Sequence, residues 1–243
     1  MRNIALELSY DGTHYAGWQV QDNAKTIQGT IQEVLEKIVK HRVKMTYAGR
    51  TDAGVHALGQ VAAFATTSRM TEKQFEAALN SELPSDIRVR RAFETSADFH
   101  ARYSARMRWY RYLIWNNREQ IPFFKNYALW LWRGLDTDLL NRYCKEIIGK
   151  HDFTSFATIE GGENPVRTVF ECRVTKRDNF VVFDIVANSF LRKMVRTIVG
   201  TFLELEKEGE NPERVGEILY SKDRRKAGMT VYPGGLYFMK VFF

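Results

Sequence analysis

The sequence predicts an α/β protein of the α+β type, built as two α/β halves whose sheets are mixed or antiparallel. Three observations carry that prediction. Apolar residues with a period of two alternate along the chain with apolar residues at helical spacing. Several strand candidates follow one another through hairpin-length turns, which favours antiparallel neighbours over a purely parallel sheet. The 243 residues also exceed one average domain and fall short of two. Val, Ile, Leu and Phe supply about a quarter of the chain, above the roughly 20% below which chains stay disordered.

Taken in order, Ile4, Leu6, Leu8 and Tyr10 alternate with polar or small residues as a half-buried first strand. Ile27, Ile31, Val34, Leu35 and Ile38 recur at helical spacing behind Thr26 as the cap. Val43, Met45 and Tyr47 return to period two, and a Gly-rich stretch from Ala48 to Gly59 separates them from a strand at Gln60 to Thr66. Thr71 and Gln74 form a capping-box pattern ahead of a helix buried through Phe75 and Leu79. Leu83-Pro84-Ser85-Asp86 stops that helix, and Ile87, Val89 and Phe93 read as the next strand.

The second half repeats this grammar in longer pieces, from a join near Ser96 to Ser104. Met107 to Trp115 is strand-like, with aromatics on both faces. Asp136 caps a helix buried through Leu139, Leu140, Tyr143, Cys144 and Ile147, which Gly149 ends. Val166 to Lys176 and Phe180 to Ala187 pair across the turn Arg177-Asp178-Asn179. Phe190, Leu191, Met194, Val195, Ile198 and Phe202 line a long helix whose polar side carries Arg192, Lys193 and Arg196. Asn211-Pro212 starts a shorter helix with Pro at its first position, and Leu236 to Phe243 closes as a strand.

Charge narrows the function classes. Thirty-six Lys and Arg against 29 Asp and Glu leave a net +7, which attracts polyanions and points first to nucleic acid. Two cysteines, Cys144 and Cys172, make no disulfide framework, and the chain fits a reducing cytoplasm. No apolar run reaches the ~18 residues of a membrane span, and the amino terminus reads as a strand rather than a signal peptide. The five histidines lack zinc-ligand spacing. Gly12 and Gly17 have P-loop spacing, but Trp18 stands where the phosphate-binding Lys would be, and no Gly-x-Gly-x-x-Gly follows a strand.

Four stretches remain as carriers of chemistry. Ala48 to Ala57 places Arg50, Thr51 and Asp52 between two glycines, a loop suited to presenting one carboxylate; alone, an Asp-x-Gly is usually just a turn. From Arg102 to Arg118, guanidinium groups interleave with rings, as in surfaces that hold phosphates and stack bases, or in an aromatic sheet with solvated charges. Period two there puts Arg108, Tyr110 and Tyr112 on one face, Trp109 and Arg111 on the other. Arg192 and Arg196 stand one helical turn apart. Lys222, Arg224, Arg225 and Lys226 either grip a backbone or form a charged loop.

The stretch Gly49-Arg50-Thr51-Asp52-Ala53-Gly54-Val55-His56-Ala57 resembles the catalytic motif of the TruA family of tRNA pseudouridine synthases. The resemblance continues in family order through Tyr10-Asp11-Gly12, Gly17-Trp18-Gln19, Leu83-Pro84-Ser85-Asp86-Ile87, Phe99 to Ser104 and Tyr110-Arg111-Tyr112. It then runs through Asp152 to Phe156, Met194-Val195-Arg196 and Gly235-Leu236-Tyr237. It implies the pseudouridine synthase fold, two similar α/β halves around a basic cleft. Residues 1–104 would carry the Asp loop, and residues 105–243 would complete the cleft.

The activity implied is isomerisation of uridine at tRNA positions 38, 39 and 40 of the anticodon stem-loop. It needs no cofactor and no metal, and works as a cytoplasmic homodimer whose two subunits contact one tRNA. By matching position, Asp52 is the catalytic carboxylate, Arg196 its ion-pair partner, and Arg50 helps keep the target nucleotide unstacked. Tyr110 stacks on the base and Leu236 walls its pocket, with Arg102 and Arg108 also on the substrate side. Trp109 before Tyr110 and Phe238 after the Gly-Leu-Tyr block depart from the family pattern. A non-catalytic tRNA-binding or RNA-folding protein is the rival class, and Asp52 discriminates, since a site for a polyanion has no other use for a carboxylate. An RNA methyltransferase or nuclease is disfavoured by the missing cofactor glycines and metal cluster.

Overall fold

In the computed structural model, which describes residues 1–243, the chain divides into two compact units. The first comprises Met1–Arg106 together with Phe238–Phe243, and the second Met107–Tyr237. No helix is long and apolar enough to cross a membrane.

In the first unit, strand β1 (Arg2–Tyr10) is followed by helix α1 (Ile27–Val39), strands β2 (Met45–Tyr47) and β3 (His56–Thr66), helix α2 (Glu72–Glu82) and strand β4 (Ile87–Thr95). The strands are antiparallel in the order β4-β1-β3, with β2 also on β3. Ile4, Leu6, Leu8 and Tyr10 of β1 are buried, as are Ile27, Ile31, Val34 and Leu35 of α1. Phe75 of α2 meets Phe64 of β3 edge-on at 5.8 Å. Thr26 caps α1 through the Gly29 N–H, and both bonds of the Thr71–Gln74 capping box are present.

Two readings in this unit change. Strand β3 begins at His56, four residues earlier than Gln60, because β1 is long enough for Tyr10 to pair with Ala57. In β4 the pairing slips between Glu7–Arg91 and Leu8–Val89, leaving Arg90 as an extra residue. That bulge resets the alternation: Ala92 is buried and Phe93 is only half-buried.

In the second unit, β5 (Met107–Asn116), β6 (Leu129–Leu131), α3 (Thr137–Glu146), β7 (Gly149–Asp152), β8 (Val166–Arg177), β9 (Phe180–Ala187), α4 (Met194–Glu208) and α5 (Glu213–Ser221) follow in order. The chain's last strand is β10 (Leu236–Phe242), which belongs to the first unit from Phe238 onward. Strands β5-β9-β8-β7 are antiparallel neighbours, and β6 runs parallel on β5, so the pairing is mixed. Asp178, at φ 52°, makes the β8–β9 turn. Tyr112, Phe183, Phe202 and Tyr143 are fully buried, the last two rings 5.6 Å apart. Cys144 of α3 contacts Cys172 of β8 at 2.9 Å, both thiols buried and free. Burial pushes the Cys172 thiol pKa up.

The long helix starts later than its apolar periodicity suggests. Lys193 has φ 63°, so α4 begins at Met194, and Phe190 to Arg192 lie outside it. Arg192 instead accepts the Thr158 N–H on its carbonyl (3.1 Å) and pairs its side chain with Glu160. Arg192 and Arg196 therefore do not share one helical face. Helix α3 stops at Glu146, where the Ile147 N–H caps back to Cys144 and Lys145; Gly149, at φ 115°, opens β7 instead. Leu139 is only half-buried, and Pro212 is the cap of α5 rather than its first residue.

The carboxyl terminus belongs to the first unit, whereas a linear division after residue 104 puts it with the second half. Phe243 packs against Phe99 at 4.9 Å, and the Phe242 carbonyl accepts the Arg106 N–H at 2.8 Å.

Gly200 lies inside α4, where Ala is normally better by ~1 kcal/mol. A Cβ there would come 1.8 Å from the Met229 carbonyl oxygen. Gly200→Ala is therefore expected to destabilise the protein by about 1–3 kcal/mol in urea unfolding, the usual cost of overpacking. A gain in stability would show that the 229 segment does not sit against this helix.

Candidate active site

Residues 49–55, between β2 and β3, lie outside any strand or helix, so other groups must satisfy and orient the loop. The Ala48 N–H reaches the Val61 carbonyl at 2.9 Å, and Gln60 Nε2 donates to the Gly49 carbonyl at 2.6 Å. The Thr51 carbonyl accepts the Trp18 N–H at 3.0 Å, while Thr51 Oγ1 lies 2.8 Å from Tyr10 Oη. The Asp52 carbonyl accepts the Val55 N–H at 3.2 Å, closing a turn. Tyr10 and Thr51 are 4% and 6% exposed, and Gln60 is wholly buried. Burial pushes the Tyr10 phenol pKa up, so its hydroxyl stays protonated.

The segment after β1 packs against this loop. Gly17 has φ 97°, and a Cβ there would come 2.7 Å from the Thr51 carbonyl oxygen, so only glycine fits. His56 Nδ1 accepts the Gly12 N–H at 3.1 Å and lies 3.1 Å from Asp11 Oδ1. Asp86 completes the frame. Its carbonyl accepts the Asp11 N–H at 2.9 Å and its carboxylate accepts the Tyr15 hydroxyl at 2.7 Å. Burial, with Asp86 beside it, pushes the Tyr15 phenol pKa up. Two stretches far apart in sequence, residues 10–19 and the segment at Asp86, thus serve one loop, in which Asp52 is half-buried and Arg50 exposed, its Nε 3.3 Å from Tyr47 Oη.

In the second unit, Arg108, Tyr110 and Tyr112 share the buried face of β5, and Tyr110 meets Phe190 edge-on at 5.0 Å. Tyr112 Oη donates to the Tyr232 carbonyl at 2.7 Å, and Arg196 Nε, in the first turn of α4, donates to the Val231 carbonyl at 2.9 Å. These bonds fix the segment leading through the turn Pro233–Gly235 to buried Leu236. Arg108 is 7% exposed and donates to the Asn188 carbonyl at 2.5 Å, a position unlike that of a surface cation. Arg102 is exposed, its guanidinium 5.7 Å from the Tyr103 ring centre.

Other cations serve the fold. Asp184, nearly buried, accepts from Trp109 Nε1 at 2.7 Å and from Arg111 Nε and Nη2 at 2.9 and 3.0 Å. The family departure at Trp109 therefore lies on the face opposite Tyr110. In the late basic cluster, Arg225 holds the Asp223 carboxyl down at about 2. Lys222 reaches Asp152 at 3.3 Å, and Arg224 donates to the Ala227 carbonyl at 3.1 Å. Opposing the upward push of burial, the Thr154 hydrogen bonds and Lys222 leave the Asp152 carboxyl below its usual range.

Residue-level reading of the sequence missed the scaffold of the Asp52 loop, namely Tyr10, Thr51 and Gln60 as a bonded group. One signal was available: Gln60 places a polar amide at the head of the apolar run Val61-Ala62-Ala63-Phe64.

The chain as a whole is similar to known proteins. A family model described as tRNA pseudouridine synthase matches residues 8–104 and 143–243. The tRNA pseudouridine synthase A of Caldicellulosiruptor bescii is 43% identical over 244 residues, covering all of both chains. That of an Exiguobacterium species is 43% identical over 242 residues, covering 99% of this chain and 98% of the relative. A Thermotoga species has one 39% identical over 245 residues, again covering both chains in full. Matches of this length, spanning the Asp52 loop and the segments that support it, establish that the chain belongs to the tRNA pseudouridine synthase family.

Proposed function

We propose that this enzyme, an isomerase of uridine to pseudouridine in tRNA, acts at positions 38, 39 and 40 of the anticodon stem-loop, with Asp52 as its reacting carboxylate. The observation that carries the reading is the framed loop itself. Buried side chains hold it on both sides of Arg50, at the Gly49 carbonyl and the Thr51 hydroxyl, while Asp52 stays half-buried. A carboxylate on a fixed loop suits chemistry that detaches a base and reattaches it through carbon. As nucleophile or as base, it divides a difficult bond exchange into easier steps.

Arg196 serves as the ionic partner of Asp52 in this reading. Tyr110 stacks on the target base, Leu236 forms an apolar wall, and Arg50 holds the nucleotide out of the stack. Unstacking costs a few kcal/mol, which stacking at ~1–3 kcal/mol per base and phosphate contacts can offset. Exposed Arg102 is a phosphate contact, and the net +7 favours the approach of RNA. The chain acts in the cytoplasm as a homodimer, with one tRNA touching both subunits.

Incubation with unmodified tRNA transcripts carrying uridine at 38, 39 or 40 is expected to yield pseudouridine at those positions, with no change in RNA mass. Modification confined to other positions would contradict the assignment to the anticodon arm. Arg196→Met is expected to lower the single-turnover rate at least about 100-fold with tRNA affinity changed less than about 3-fold, the pattern of an interaction made in the transition state. Equal losses in rate and affinity would make Arg196 a phosphate contact instead.

A further inference from the structure

We infer that Tyr10 is a positioning residue for the reaction: through its hydrogen bond to Thr51 it sets where the Asp52 carboxylate stands, an inference that rests on Asp52 being the reacting group. Tyr10 ends β1, on the buried face that Ile4, Leu6 and Leu8 fill with hydrocarbon. Phe would fill that volume equally well, and a buried hydroxyl costs free energy unless it is bonded. The Tyr10 hydroxyl is bonded, 2.8 Å from Oγ1 of the residue that precedes Asp52. It also interacts with the Gln60 side chain.

Gln60 extends the grip to the other side of the motif. Its amide is wholly buried and donates to the Gly49 carbonyl at 2.6 Å. The polar group Tyr10–Gln60–Thr51 therefore holds Gly49 and Thr51, the residues flanking Arg50, against the end of β1 and the middle of β3. Thr51 is held twice, since its carbonyl accepts the Trp18 N–H. A loop fixed at Thr51 by side chain and carbonyl leaves Asp52 little freedom in where its Cα sits. Fully satisfied buried networks of this kind specify one arrangement rather than add stability. Tyr10 touches no substrate in this account and acts only through Thr51.

The test compares single-turnover pseudouridine formation by full-length wild type, Tyr10→Phe, Thr51→Val, Thr51→Ser, the Tyr10→Phe/Thr51→Val double variant and Asp52→Asn, with tRNA affinity and melting temperature measured for each. Tyr10→Phe and Thr51→Val are each expected to slow the reaction roughly 10- to 100-fold, the scale set by misplacing a reacting group by up to an ångström. Affinity and melting temperature should stay near wild type. The double variant should be no slower than the worse single one, as for two ends of one interaction. Thr51→Ser, which keeps the hydroxyl, should retain the wild-type rate within about 3-fold.

A Tyr10→Phe rate equal to wild type overturns the inference. So does a loss that runs in proportion to a fallen melting temperature, or a Thr51→Ser variant as slow as Thr51→Val. Asp52→Asn separates the two levels of the argument. If it retains the wild-type rate, the Asp52 reading fails and the Tyr10 inference with it. If it is inactive while Tyr10→Phe is not impaired, only the Tyr10 inference fails.

Discussion

The loop carrying Asp52 must be held in one conformation without the help of a strand or a helix. Ordering each backbone residue costs about 1–2 kcal/mol, and residues 49–55 lie outside any strand or helix. The answer is a small set of buried donors and acceptors, the Tyr10 hydroxyl, the Gln60 amide and the Trp18 backbone N–H, each aimed at Gly49 or Thr51. The pairing of β1 with β3 brings Tyr10 and Gln60 to the loop from two strands. Gly17 and Asp86 shape the adjoining segment that delivers Trp18. Much of the first unit can be understood as the support that this arrangement requires.

The second unit follows the same economy. Backbone carbonyls at Val231 and Tyr232 are taken by Arg196 and Tyr112, so a coil segment is fixed by side chains from a helix and a strand. The positive charge of the chain is also divided. Arg108 and Arg111 are committed to Asn188 and Asp184, while Arg50, Arg102 and Arg192 are exposed. Net charge alone therefore overstates the cations that face a polyanion.

Elements whose signals are local were legible in the sequence. Thr26 and the Thr71–Gln74 pair announced their helices, because a capping bond joins residues only two or three apart. The start of α4 was not legible, since the apolar spacing runs back through Phe190 while the left-handed Lys193 and the contact of Arg192 with Thr158 come from tertiary structure. The bulge at Arg90 hid the true inward face of β4 for a similar reason. At the candidate site, Asp52 and its motif stood out, but the partner of the Thr51 hydroxyl lies 41 residues away. No local pattern marks such a bond, and the burial of Arg108 was invisible in an alternating Arg/aromatic run.

The central claim is that this framed carboxylate carries out the isomerisation. Forming pseudouridine expels the hydrogen at uridine C5, so tRNA labelled there with tritium reports the reaction directly. The account predicts release of label by the wild-type protein and none by Asp52→Ala, with both binding the tRNA. Release by Asp52→Ala at the wild-type rate would contradict it.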